Sequence, residues 1–155
     1  MEIEKLDRVV VYVDDLKKSK QRFSELLGIE FDQIPFREVD PIKMEPGPGA
    51  PPASGESSGE GVPRPQRVAI SRIGLELIEG MLEPGQPPRV GCFHFKVSDY
   101  EGAKAEMERK GLPLLTDITL GTLREAIYQP DAEGPLMGLV WYDKPYVMES
   151  IKSKG

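Results

Sequence analysis

The stretch Arg8-Val-Val-Val-Tyr-Val-Asp-Asp-Leu16, followed by a helix-like run ending at Leu27-Gly28, returns as Cys92-Phe-His-Phe-Lys-Val-Ser-Asp-Tyr100 with a second run ending at Lys110-Gly111. Val13 matches Val97, Asp15 matches Asp99, Ser19 matches Ala103 and Phe23 matches Met107. Such self-similarity marks two copies of one supersecondary unit. The β-branched and aromatic run at 8–13 predicts a strand buried on at least one face. Asp14 or Asp15 is placed to cap the helix that follows, and Leu16, Phe23, Leu26 and Leu27 give that helix an apolar stripe. Gly28 supplies a left-handed stop. In the second copy, Ser98-Asp-Tyr-Glu101 has the spacing of a capping box.

Outward from these openings, Ile29–Ile34 predicts a second strand, and Arg67–Arg72 with Leu75–Ile78 a hairpin turning near Gly74. Leu112–Leu115, Glu125–Gln129 and Leu136–Tyr142 predict three more strands. Each half is therefore strand, helix, then three strands. The first module covers residues 1–80, a Pro- and Gly-rich linker 81–90, the second module 91–148, and a frayed tail 149–155. Residues of about 41–65 are almost free of large apolar side chains, so a mobile loop is expected there. Such a loop is either a tolerated surface insertion or a flap over a ligand site.

The whole-chain numbers set limits on function. A length of 155 residues suits one compact domain or two half-size modules sharing a core. A hydrophobic fraction of 39% and a charged fraction of 30% suit a globular protein in water. The net charge of −6 argues against general nucleic-acid binding, which needs a basic surface. No apolar run approaches the roughly 20 residues that cross a bilayer. The N-terminus has no apolar leader, and one cysteine cannot close an internal disulfide, so a cytoplasmic location is expected.

A duplicated βαβββ unit with Val13-Asp-Asp-Leu16, Leu26-Leu-Gly28, Leu75-Glu-Leu77 and the turn Gln129-Pro-Asp-Ala-Glu-Gly134 resembles the vicinal oxygen chelate superfamily. That superfamily includes glyoxalase I, extradiol dioxygenases, methylmalonyl-CoA epimerase and the bleomycin-resistance proteins. The resemblance implies an α+β fold in which two tandem modules form a cup-shaped mixed sheet with helices outside. It also implies a small-molecule ligand, and a homodimer is possible in such a family because an open sheet edge invites pairing. Metal ligands in the family, typically His or Gln and Glu, project from the sheet into the cup. Carried over by position, those slots fall on Arg8 and Glu76 in the first module and on Cys92 and Gly138 in the second.

Only Glu76 is a familiar ligand there. Arg8 has no lone pair to donate and Gly138 has no side chain. A transition metal wants imidazole and carboxylate donors, so the usual metal site is expected to be lost and no cofactor is expected. Any residual metal set would be Glu76, Cys92 and His94.

Strand alternation places Arg8, Val10 and Tyr12 on one inner face and Cys92, His94 and Lys96 on the other. Arg8 either neutralises Glu76 or, with Lys96, holds a carboxylate or enolate oxygen. His94 is the lone histidine, either a packing residue or the general acid–base, and Glu76 is the other candidate base. Tyr12, Cys92, Lys96, Arg124, Tyr128 and Tyr142 are candidate substrate contacts. Two functions follow. One is a metal-independent isomerase, epimerase or lyase of a small carbonyl or carboxylate metabolite, with Glu76, His94 and Arg8 catalytic. The other is a module that sequesters a ligand without converting it, and a metal-dependent lyase is a third option.

Overall fold

The β-branched run of the first copy forms β1 (Ile3–Val13), and its repeat forms β6 (Arg89–Val97). These two strands lie antiparallel at the centre of a sheet, with Arg8 opposite His94 and Val10 opposite Cys92. The computed structural model describes residues 1–51 and 67–155. On the first-module side, β1 pairs in parallel with β5 (Leu75–Glu79), then antiparallel β4 (Arg67–Ser71) and β2 (Phe31–Gln33) follow. On the other side β6 pairs in parallel with β9 (Leu136–Trp141), then antiparallel β8 (Leu123–Tyr128) and β7 (Thr116–Leu120) follow. The two modules thus repeat one order of pairing about the β1–β6 seam. The fold is α+β, a curled mixed sheet of nine strands among the described residues.

Two helices cover the outside. α1 (Leu16–Leu27) is capped by Asp15, whose side chain accepts from the Lys18 amide, and stops at Gly28 with φ +66°. Leu16 and Phe23 pack on Val13, Ala69 and Leu77. α2 (Tyr100–Arg109) lays Tyr100, Ala103 and Met107 against Val97, Ala126, Tyr128 and Leu139. The cap differs from the capping box expected at Ser98: Asp99 accepts from the Gly102 amide, and Ser98 donates to Glu2 instead. Gly74, at φ +90°, turns the β4–β5 hairpin, and its carbonyl accepts from the Val9 amide at 2.8 Å. A Cβ there would come within 2.7 Å of the Asp7 carbonyl.

Three expectations are corrected. Leu112–Leu115 is not a strand: Pro113 cannot donate to a ladder, Leu112 and Leu114 pack behind α2, and β7 starts at Thr116. Within the expected loop of 41–65, Lys43–Pro46 forms β3, which pairs antiparallel with β7 at the far edge of the second module. The rest of that loop, from residue 52, lies outside the described residues. The tail expected to fray from Glu149 forms α3 (Val147–Lys152), because Val147, Met148 and Ile151 find an apolar site inside the cup. Gly121, at φ +60°, allows this docking, since a Cβ would meet the carbonyl oxygens of Ser150, Ser153 and Ile151 at 2.3–2.6 Å.

The segment between β2 and β3 therefore crosses from one edge of the sheet to the other. Ile34, Phe36 and Ile42 on this strap, with Met44 of β3 and Ile151 of α3, line a cavity. Among the described residues, no helix is long and apolar enough to cross a membrane.

Candidate active site

The concave face of the sheet holds a cavity of about 190 Å³. Its walls are apolar, from Val10, Ile70, Ile118, Leu120 and Leu136 among others, and its polar end is formed by Arg8, Glu76, His94 and Glu125. All four polar residues are buried. Arg8 is among the largest fully buried side chains, at 2% exposure, which no arginine tolerates without partners.

Those partners come from four strands. Arg8 Nη2 donates to Glu125 Oε1 at 2.5 Å and to His94 Nδ1 at 2.6 Å. Nη1 stands 3.5 Å from Glu76 Oε1, and Nε 3.3 Å from Asp7 Oδ2. Asp7 in turn accepts from the Tyr142 hydroxyl at 2.5 Å and faces the ammonium of Lys5 at 3.4 Å. Burial disfavours the Arg8 charge, but Glu76, Glu125 and Asp7 outweigh it and raise its pKa, so the guanidinium is permanently charged.

A guanidinium only donates, so the 2.6 Å contact requires a lone pair on His94 Nδ1 and leaves the imidazole proton on Nε2. Burial and Arg8 favour this neutral form, yet Cys92 and Glu125 outweigh them and raise the His94 pKa well above its ordinary 6.5. A proton on Nδ1 would face the permanently charged guanidinium at 2.6 Å, so in this arrangement His94 accepts from Arg8 and is neutral.

The two glutamates diverge. Burial opposes ionisation of Glu125, but the permanent charge of Arg8 and its short bond favour it and hold the carboxyl below the ordinary 4.5. Glu76 is shifted the other way: burial raises its pKa more than Arg8 lowers it, and the Glu125 and Asp7 carboxylates add to the rise. Asp7 shares Lys5 and Glu125 takes Arg8, so Glu76 is the surplus carboxylate. Carboxyl groups pushed apart in this way are the pattern of an acid–base site.

The metal that the family resemblance implies does not fit here. The Arg8 guanidinium occupies the space between Glu76, His94 and Glu125, and its own charge would repel a second cation. Among the described residues no three His, Cys, Asp or Glu side chains are grouped to hold a metal ion. Gly138, the empty slot of the second module, has a different role. A Cβ on it would lie 2.9 Å from His94 Cδ2 and 3.2 Å from its Nε2. The missing side chain is the space the imidazole fills. Gly138→Ala is expected to displace that ring and cost about 1–3 kcal/mol through overpacking. Unchanged His94 ring resonances and an unchanged Tm in the variant would contradict this.

Of the other expected contacts, Tyr12 and Cys92 line the cavity. Burial pushes the Tyr12 phenol up to about 12, so it is a neutral donor, and its ring rests against Gly91, where a Cβ would be 2.1 Å away. Lys96 and Tyr142 do not line it. Lys96 pairs with Glu4 at 3.1 Å and sits 4.5 Å over the Tyr142 ring, whose hydroxyl braces Asp7 behind Arg8. Arg124 and Tyr128 are on the outer face: Arg124 pairs with Glu101 at 2.9 Å and stacks on Tyr100, and Tyr128 is packed under α2. Strand parity explains the error, since the inward set on β8 is Leu123, Glu125 and Ile127. Glu125 was missed, although a single acid between Arg124 and Ala126 on that inner parity is its signal in the sequence.

No protein-family model matches the chain, and no curated protein matches it in sequence. Its fold does match solved structures. Methylmalonyl-CoA epimerase from Mycobacterium tuberculosis superposes with a TM-score of 0.60 at 18% identity, covering 92% of this chain and 90% of that one. A Streptomyces coelicolor methylmalonyl-CoA epimerase variant in complex with 2-nitronate-propionyl-CoA gives 0.58 at 17% identity, covering 90% and 97%. A hypothetical protein from Bacillus halodurans gives 0.59 at 16%, covering 90% and 95%. These epimerases belong to the vicinal oxygen chelate superfamily, and the chain's α+β fold resembles theirs.

Proposed function

We propose that this protein is a glyoxalase-like isomerase of the epimerase type that moves a proton next to a carbonyl without a metal. The observation that carries the reading is Glu76. It is a surplus buried carboxylate with a raised pKa, at the polar end of an apolar cavity and 3.5 Å from a guanidinium nitrogen. Glu76 takes the proton from the carbon beside the carbonyl. Arg8 Nη1, whose contact with Glu76 is a loose ion pair, donates to the developing oxyanion, a task that fixed positive charge in a dry site performs well. The Glu76 carboxyl then returns the proton to carbon as the oxyanion collapses to the carbonyl, and His94, Glu125 and Asp7 hold Arg8 in place. The likeness in fold to methylmalonyl-CoA epimerases supports this class of chemistry.

The pH profile tests the assignment. The base works when ionised, so the rate rises with pH through the raised pKa of Glu76, above the ordinary 4.5. Glu125, held below the ordinary 4.5 by Arg8, stays ionised over that range and adds no second limb. A kcat profile flat from pH 4 upward would remove Glu76 as the base.

A ligand-sequestering module is the second reading. It is favoured by the close engagement of Arg8 Nη2 with Glu125 and His94 and by the apolar walls. Tight ligand binding with no exchange of carbon-bound protons would select it.

A further inference from the structure

The charges at the polar end restrict what can enter. Arg8 is the one cation among the described residues lining the cavity, and it faces Glu76 and Glu125 with Asp7 behind it. Lys96, which would have tipped the balance, is engaged outside with Glu4. A ligand carboxylate would have to displace Glu125 from its 2.5 Å bond or share Nη1 with Glu76. Either way one carboxylate is left buried without a counterion, which costs far more than the new contact returns. An ammonium ligand is no better placed, because reaching Glu76 brings it beside the guanidinium. A neutral dipole meets neither obstacle: its oxygen faces Nη1 and its acidic C–H faces Glu76.

We propose that the ligand is an uncharged carbonyl compound with an apolar body, and that carboxylates and ammonium compounds are rejected. This rests on the site proposed above, with Glu76 as the surplus carboxylate. The size of the body follows from the cavity, about 190 Å³, against the roughly 150 Å³ of an engineered apolar cavity that takes benzene. A single ring or a branched chain of similar bulk fits.

The test is a titration of the full, chelator-treated chain at pH 7.5 with three probes of one shape, acetophenone, benzoate and benzylamine, followed by amide and methyl NMR shifts. Acetophenone is expected to bind at least about tenfold tighter than either ion. In Glu76→Gln, benzoate is expected to recover most of that difference, while acetophenone changes by less than about twofold. Benzoate or benzylamine binding as tightly as the ketone overturns the proposal, as does the absence of ketone-induced shifts at cavity residues. Turnover does not enter these titrations. A ketone that binds selectively but exchanges no proton defeats the catalytic reading and leaves the ligand class standing, whereas a carboxylate that binds and exchanges does the reverse.

Discussion

Arg8→Met lowers the unfolding free energy by about 3–5 kcal/mol, the usual cost of removing one partner from a buried charge network. For a chain of this size that is a fall in Tm of roughly 6–20 °C. The reason is the set of groups left behind: Glu125 loses its 2.5 Å bond, and Glu76 and Asp7 lose their nearest cation. The deficit depends on pH, and its sign follows from Glu125. In the wild-type protein its pKa is depressed, so its stabilisation is present above the unfolded carboxyl pKa of ~4.3 and is lost as pH falls through the lower folded value. Without Arg8 the same carboxylate is destabilising when charged. The gap between wild type and variant is therefore widest at neutral pH and narrows below about pH 4. Thermal unfolding of both proteins from pH 3 to 8 reads this directly. Adding Glu125→Gln to Arg8→Met is expected to restore at least about 1 kcal/mol, since contacting charges couple strongly. A constant gap across the pH range, or no restoration, would show that Arg8 acts through packing alone.

Glu76→Gln is expected to separate stability from function. The raised pKa means that the folded protein works against ionisation of Glu76. An acid of this kind destabilises the fold as pH rises through its folded pKa, so removing the charge raises Tm at pH 7 and leaves it unchanged in acid. Activity moves the other way. Loss of a positioned general base lowers kcat by about 10²–10⁴, with the Gln side chain filling the same space. A stabilised but inactive variant is the mark of a group retained for chemistry at the expense of stability. If Tm falls along with activity, Glu76 is a structural counterion for Arg8, and the loose 3.5 Å pair is worth more than its geometry suggests.

These effects come from groups that the sequence exposes to different degrees. The module repeat is local: the β-branched run, the Asp caps and the glycine stop sit at the same offsets in both copies, so β1, α1, β6 and α2 are legible from pattern alone. Arg8, Glu76 and His94 follow from strand parity once the cup is assumed. β3 is not legible, because Lys43-Met-Glu-Pro46 has no strand pattern of its own and exists as a strand only by pairing with β7. α3 was obscured in the same way: six residues are too few for helical periodicity to stand out, and their burial depends on the cup around them. Arg124 and Tyr128 were turned inward because a one-residue slip in register exchanges the two faces of a strand. Correcting that slip turns Glu125 inward. The charge count then changes from a site with spare positive charge to one in which the guanidinium is already matched.

Proton exchange in deuterated buffer tests the central claim most directly. The full chain, freed of metal with a chelator, is incubated with acetophenone, and deuterium entering the carbon beside the carbonyl is followed by NMR. The account predicts incorporation by the wild-type protein and a loss of about 10²–10⁴ in that rate for Glu76→Gln. Incorporation that requires added divalent metal, or that continues at the wild-type rate in Glu76→Gln, would contradict it.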